Sequence, residues 1–348
     1  MENVLTVPAE LLHKQLTTVF TTWGMNPDDA NTAATIMVET DLSGVDSHGV
    51  GMLPFYQIAV REGRLHPRAT PTIAHDRGPA ALIDAHHCIG HVAANLANNT
   101  AIAKAKEHGI GVTAVTNSTH YGAAGWYARK AAENGLIGIS LTNSPPLLVP
   151  VRGKDPALGT NPIAFAAPTN DKARPVLLDM ATTTVAYGKV SIARRAGKPI
   201  PPGWALNPEG LPETDSAVAA AARRLAPLGG TREQGAHKGY GLALMVEILC
   251  STLTGARIGK NETGHFFLAL DPSAFRDAEG FSADLDDLLG RLRANTPLDP
   301  AQPVLIPGDP EHDMTIRRQR EGIPLVPTLV EEVRGVCAES GAAFLLTQ

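Results

Sequence analysis

The side chains best suited to chemistry stand in glycine-rich turns. His120 closes the run from Gly109 to His120, whose apolar and β-branched first part predicts a buried strand. Tyr121, small residues as far as Gly125, and a helical pattern from Trp126 to Glu133 come next. A titratable ring between a strand end and a helix start can exchange protons near neutral pH, while glycines let a ligand approach backbone N–H groups. Ser47-His48 occupies a second turn of this kind, within Asp46-Ser47-His48-Gly49. The hydroxyl and amide of Thr160-Asn161-Pro162 could fix a substrate oxygen, or simply form a turn. Asp179 ends an apolar strand before Ala181-Thr182 and could be a ligand group or merely the cap of whatever helix follows. His237-Lys238 precedes the apolar run Gly241 to Leu253; a cation there opposes the helix dipole, which points to a bound anion unless the pair is only solvated surface.

These residues need a scaffold, and the periodicity supplies one. Leu11, Leu12, Leu16, Val19, Phe20 and Trp23 predict an opening helix, and Asn26-Pro27-Asp28-Asp29 the capped start of a second. A third helix is expected from Met52 to Arg61. Strands are expected over 69–75, 80–85, 136–142, 163–167, 175–179 and 263–270, with an Ala-rich helix over 92–108, an alternation that argues for an α/β sheet. Residues 195–235, rich in Pro, Gly and Ala, read as a long irregular excursion. The last 64 or so residues are helical again, like the first, so the two ends could form one domain around an inserted sheet domain.

With 348 residues the chain is too long for one ordinary core. Its net charge of −5 and lack of any basic block argue against nucleic acid or an acidic membrane as partner, leaving small molecules. Met1-Glu2-Asn3-Val4 lacks the pattern of an export signal, and three cysteines without CxxC spacing suit a reducing cytoplasm rather than a disulfide framework or zinc knot. No G-x-G-x-x-G occurs, so a nicotinamide enzyme would need another fold, and the absence of H-E-x-x-H and G-x-S-x-G counts against zinc hydrolysis and α/β-hydrolase chemistry.

Six blocks taken together carry a resemblance: Asp46-Ser47-His48-Gly49, Asn117 to Gly122, Gly159-Thr160-Asn161-Pro162, Leu178-Asp179-Met180-Ala181-Thr182, His237 to Leu242, and Ile306-Pro307-Gly308. In this order they resemble the malate/L-lactate dehydrogenase family of the non-Rossmann type, which includes hydroxycarboxylate, ureidoglycolate and sulfolactate dehydrogenases and reductases of cyclic imino acids. The resemblance runs from about Val7 to Leu325. It implies an α/β fold in which a non-Rossmann, NAD(P)-binding mixed β-sheet domain (69–283) is inserted in a helical domain built from both termini (1–68 and 284–348), assembled as a homodimer. It further implies an oxidoreductase that moves a hydride between NAD or NADP and a 2-oxo or 2-hydroxy carboxylic acid. Carried over block by block, His120, Ala124, Asp179, Met180, Ala181, His237, Lys238 and Gly308 would line the cofactor. Ser47, His48, Tyr56, His120 and Thr160 would face substrate, with His120 the first choice for the proton donor and His48 the second. Where many members carry an arginine clamp for a carboxylate, this chain has Met52; Arg152 is the nearest basic candidate in sequence to replace it. Lys189 stands where the imine-reducing branch has an acidic residue, which weakens an imine substrate. A non-catalytic small-molecule binding protein is the competing class, and the presence of both His48 and His120 argues against it.

Overall fold

The computed structural model describes residues 4–256 and 262–347. Three short signals start the chain as expected. After strand β1 (Leu5–Val7), helix α1 (Ala9–Thr22) buries Leu12, Leu16, Val19 and Phe20. Helix α2 (Pro27–Leu42) begins where the Asn26 side chain accepts the Asp29 N–H, with Pro27 in the first turn. A 3₁₀ turn (Val50–Met52) leads into helix α3 (Leu53–Arg61).

The middle of the chain builds one seven-stranded sheet. Its strands are β2 (Thr72–Arg77), β3 (Ala80–Asp84), β4 (Ile110–Ser118), β5 (Ile137–Thr142), β6 (Ile163–Ala167), β7 (Val176–Met180) and, from much later, β10 (Thr263–Leu270). The order is β2-β3-β4-β10-β5-β6-β7. Only β3 and β4 run parallel, joined by helix α4 (Gly90–His108); every other neighbouring pair is antiparallel, so this is a mixed sheet and not a doubly wound one. Small residues set how closely helices lie on it. A Cβ at Gly111 of β4 would fall 1.9 Å from the Ala101 carbonyl oxygen, so the Ala-rich helix α4 rests directly on strand backbone. Helix α5 (Ala124–Glu133) packs beside it, over β5 and β6.

Residues 195–235 differ from the irregular excursion expected. Helix α6 (Tyr187–Arg195), the two-residue strands β8 (Ala205–Leu206) and β9 (Pro212–Glu213), and helix α7 (Ser216–Ala222) enclose a small apolar cluster of Val185, Val190, Ile200, Ala205, Ala219, Ala220 and Leu225. Elements this short carry too few turns or alternations for periodicity to reveal them. Helix α8 (Ala236–Glu247) continues as a π-helical turn, Ile248–Thr252.

Both ends of the chain meet. Helix α9 (Ala278–Arg293) is followed by α10 (Asp309–Glu321), strand β11 (Ile323–Leu325) and α11 (Pro327–Ser340). β11 pairs antiparallel with β1, Leu325 opposite Leu5, while α11 touches α1 and α3 and α10 touches α2. The helical and sheet regions share one continuous apolar core, from Val7 and Leu16 through Ala97 and Phe267 to Val333. The border expected at 283/284 falls inside α9. Among the described residues no helix is long and apolar enough to cross a membrane.

Candidate active site

Four of the residues singled out in the sequence come together around one ring. His120 follows β4 and faces the first turn of α3. Its Nδ1 accepts the Tyr56 hydroxyl at 2.8 Å and the Gly122 N–H at 3.2 Å. Since Gly122 N–H can only donate, Nδ1 is unprotonated and the neutral ring carries its proton on Nε2, an assignment inferred from these partners. The His48 ring stacks against His120 with centroids 5.5 Å apart, and Ser47 Oγ lies 2.7 Å from His48 Nδ1. Phe55 closes another side, edge-on at 6.0 Å. Crowding by this protein matter holds His120 well below the usual histidine range, and the neighbouring His48, His91 and His265 rings add to the effect. Burial likewise lowers His48. The hydroxyl of Tyr56, fully buried, is raised far above its ordinary value and stays protonated, as a donor must.

Two other clamps hold this ring pair in place. The peptide after His120 is fixed because the Tyr121 ring is sandwiched between His265 (4.3 Å, 4°) and Tyr127 (4.8 Å, 17°), and Tyr127 donates its hydroxyl to the Tyr121 carbonyl at 2.6 Å. His265 is itself anchored on β10 between Thr142 Oγ1 and Ser118 Oγ. The Ser47-His48 turn is fixed from both chain ends. Asp41, at the end of α2, accepts the Val50 N–H at 2.8 Å, and Arg318 of α10 donates to the Asp41 carbonyl and to the Asp46 carboxylate. Gly49 leaves no room to spare: a Cβ there would lie 1.9 Å from Asp41 Oδ1. Gly49→Ala is therefore expected to cost about 1–3 kcal/mol of stability and to lower kcat/KM by displacing His48. Urea unfolding and steady-state kinetics check this, and a variant matching the parent in both would refute the clamp.

The residues expected at the cofactor also assemble. Asp179 does cap a helix, but a distant one: its Oδ2 accepts the Gly125 N–H at 2.7 Å, at the start of α5 beside Ala124, and not in the segment that follows it in sequence. The side chain stays open to solvent on one side, and the protein packed on the other raises its carboxyl above the ordinary carboxylate range against the hydrogen bond from Gly125, with Glu311 adding like-charge repulsion. Its Oδ1 remains without a partner among the described residues. Pro307 accepts the Leu177 N–H at 2.9 Å, which places Gly308 next to β7. Thr182 N–H and hydroxyl both donate to the Thr160 carbonyl, tying Met180-Ala181 to the Thr160 turn, where Ser144 Oγ meets Thr160 N–H. Leu228 joins the last pair: its N–H donates to Thr182, and a Cβ on Gly239 would sit 2.3 Å from its nitrogen. His237 and Lys238 thus stand near Thr182, inside the first turn of α8 rather than ahead of a helix, both exposed and without an ion-pair partner among the described residues. The unpaired Lys238 cation at a helix N-terminus with the exposed His237 ring beside it, a free carboxylate oxygen and the N–H groups at the start of α5 fit a dinucleotide, which offers phosphates and ribose hydroxyls.

Arg152 is not brought in. It lies exposed in a turn at φ +69°, with no hydrogen bond or ion pair to its side chain among the described residues. Met52, in its turn between His48 and Tyr56, packs against the core. Lys189 is exposed in the first turn of α6. Sequence reasoning missed Asp41, Arg318, Ser144, Phe55 and His91. His91 alone carried a usable signal: it stands at the start of α4, the same mismatch with a helix dipole that drew notice to His237.

Comparison with known proteins finds relatives along almost the whole chain. The profile of the malate/L-lactate dehydrogenase family matches residues 7–334. The chain is 40% identical to a malate dehydrogenase of Pyrococcus horikoshii, over 99% of this chain and 98% of the relative. It is 34% identical to a (2R)-3-sulfolactate dehydrogenase (NADP(+)) of Chromohalobacter salexigens, covering 88% and 90%. The crystal structure of a malate dehydrogenase from Entamoeba histolytica superposes with a TM-score of 0.92 at 29% identity, covering 98% of this chain and 99% of that one.

Proposed function

The chain belongs to the malate/L-lactate dehydrogenase family, and from that premise we propose that it interconverts a 2-oxo and a 2-hydroxy carboxylic acid with NAD(P)H. The observation that carries the proposal is the His120 ring, its Nδ1 held by Tyr56 and Gly122 and its Nε2–H left to face a ligand, one turn ahead of the helix start that binds Asp179. NAD(P)H, when bound, supplies the hydride. Asp179 Oδ1 would take a ribose hydroxyl, and His237 and Lys238 the phosphates. His120 Nε2–H donates to the carbonyl oxygen as negative charge develops there, the place where a preorganised donor contributes most. The proton that completes the alcohol comes from the His48–Ser47 pair. A protonated His48 can direct Nδ1–H to Ser47 Oγ, whereas a protonated His120 would set an Nδ1–H against the Gly122 N–H.

Mixing the protein with NADH or NADPH and a panel of 2-oxo acids and a cyclic imine, while following nicotinamide absorbance, tests the reading. No turnover with any of them favours the binding-protein alternative. As part of the same reading we take the working unit to be a homodimer. Strand β2 supports it: an edge strand exposed along all six residues is the kind of edge that a second copy covers. Sedimentation as a monomer at micromolar concentration would remove it.

Substrate charge turns on Met52. A desolvated carboxylate beyond the reacting one needs a cation, and a half-buried thioether offers none. Phenylpyruvate is expected to exceed oxaloacetate in kcat/KM, and Met52→Arg to move that ratio toward oxaloacetate. A parent enzyme that strongly prefers oxaloacetate breaks the link from Met52 to specificity.

A further inference from the structure

We propose that His91 is a positioning residue that locks His120 in the tautomer with its proton on Nε2; this deepens the proposed function and rests on it. His120 Nδ1 is held by two donors, the Tyr56 hydroxyl and the Gly122 N–H. One side chain braces both of them. The His91 ring stands edge-on to the Tyr56 ring, with centroids 5.5 Å apart at 84°. Its Nε2 and Cδ2 also fill the space above Gly122, where a Cβ would lie 2.7 and 3.2 Å away. Gly122 has φ +79°, a left-handed conformation that favours glycine, and the His91 ring occupies the space any side chain at 122 would need.

The helix that carries His91 is fixed on the same loop. At the start of α4, Gly90 donates its N–H to Thr119 Oγ1 at 2.9 Å, and a Cβ at Gly90 would lie 2.2 Å from the Thr119 carbonyl oxygen and 2.5 Å from that of His120. His91 therefore cannot move away without α4 leaving the His120 peptide. The ring is fully buried, and among the described residues neither nitrogen has a hydrogen-bond partner. Its action on His120 thus runs through shape and not through a polar contact, and desolvation, with His48 nearby, keeps it uncharged by holding it down to about 3. A buried polar ring doing a steric task is replaceable by an apolar ring of the same outline.

Nitrogen-15 NMR of histidine-labelled protein reads the tautomer directly, without turnover, so its outcome is separate from whether the substrate reading is right. In the parent protein at pH 7.5, His120 is expected with its proton on Nε2; a proton on Nδ1 overturns the inference before any variant is made. His91→Ala is expected to give a mixture of His120 tautomers and to lower kcat about 10–100-fold, with KM for the cofactor unchanged. His91→Phe, which keeps the edge-on ring and the contact with Gly122, is expected to recover most of kcat and the single tautomer, with a Tm no lower than the parent. His91→Ala retaining both kcat and tautomer, or His91→Phe failing to restore them while still folded, overturns it.

Discussion

Replacing His120 by Ala or Asn is expected to lower kcat by about 10²–10⁴-fold and to leave cofactor affinity largely intact, because in the proposed complex the ring meets the reacting oxygen and not the dinucleotide phosphates. His48→Ala is expected to lose a similar factor by a different route, and the pH dependence separates the two. Burial lowers His48 below the ordinary histidine value. On the proposed division of labour reduction needs His48 protonated, so kcat/KM for the 2-oxo acid should fall as pH rises through a value below 6.5, while oxidation of the hydroxy acid should rise through it and stay flat across neutrality. The residual activity of the His120→Asn variant should keep this limb, and that of His48→Ala should lose it. If the limb disappears only with His120, that ring is the proton carrier and the division of labour proposed for the pair is wrong.

The second large effect is on stability in acid. His91 and His265 are fully buried, and burial lowers each to about 3, with like-charged neighbours assisting. The unfolded chain takes up protons on these rings below about 6.5 and the folded chain does not, so the stability they allow is present above 6.5 and is lost as pH falls. By pH 4 the loss is on the order of 3 kcal/mol for each, a large share of a typical domain stability of about 5–15 kcal/mol. Asp41 acts in the opposite sense. Desolvation raises it to about 8 against the Val50 N–H, so its folded state favours the proton, and the stability it contributes is full at low pH and declines as pH rises from about 4 toward 8. Below 6.5 these two rings, joined by the likewise lowered His48 and His120, outweigh the raised carboxyls of Asp41 and Asp179; above 6.5, of these groups, Asp41 still titrates. The urea midpoint should therefore peak near pH 6.5, dropping steeply toward pH 4.5 and gently toward 8.5. Asp41→Asn should flatten the alkaline side and steepen the acid side. A midpoint at pH 4.5 equal to that at 6.5 would contradict the account of the buried rings.

What could be read in the sequence was local. Asn26-Pro27 announced α2 because the cap lies three residues from the N–H it serves. The strand, histidine, small-residue turn and helix around His120 were legible because period and turn chemistry are written within 25 residues. The unread features depend on distance along the chain. The Asp179 carboxylate caps a helix through an N–H 54 residues before it, so a rule that looks just downstream names the wrong helix. β10 enters the sheet between β4 and β5 from more than 120 residues away, and no pattern within a strand records its neighbour. His91 could be noticed for its place at a helix start, but the role proposed for it rests on packing against Tyr56 and Gly122, which the sequence does not record. Arg152 shows the reverse, since nearness in sequence to Thr160 suggested a role that its exposed turn does not support.

The grip of Arg318 on the Asp46 turn bears on how the protein matures during synthesis. Ser47 and His48 leave the ribosome early, but the side chain that staples their turn is added about 270 residues later, and β1 waits longer still for β11. A nascent chain can assemble much of the sheet before α10 emerges, yet its Ser47-His48 turn is still unfastened. Competence for proton transfer is thus expected to arrive late in translation, and products cut short before Arg318 should compete neither for substrate nor for turnover.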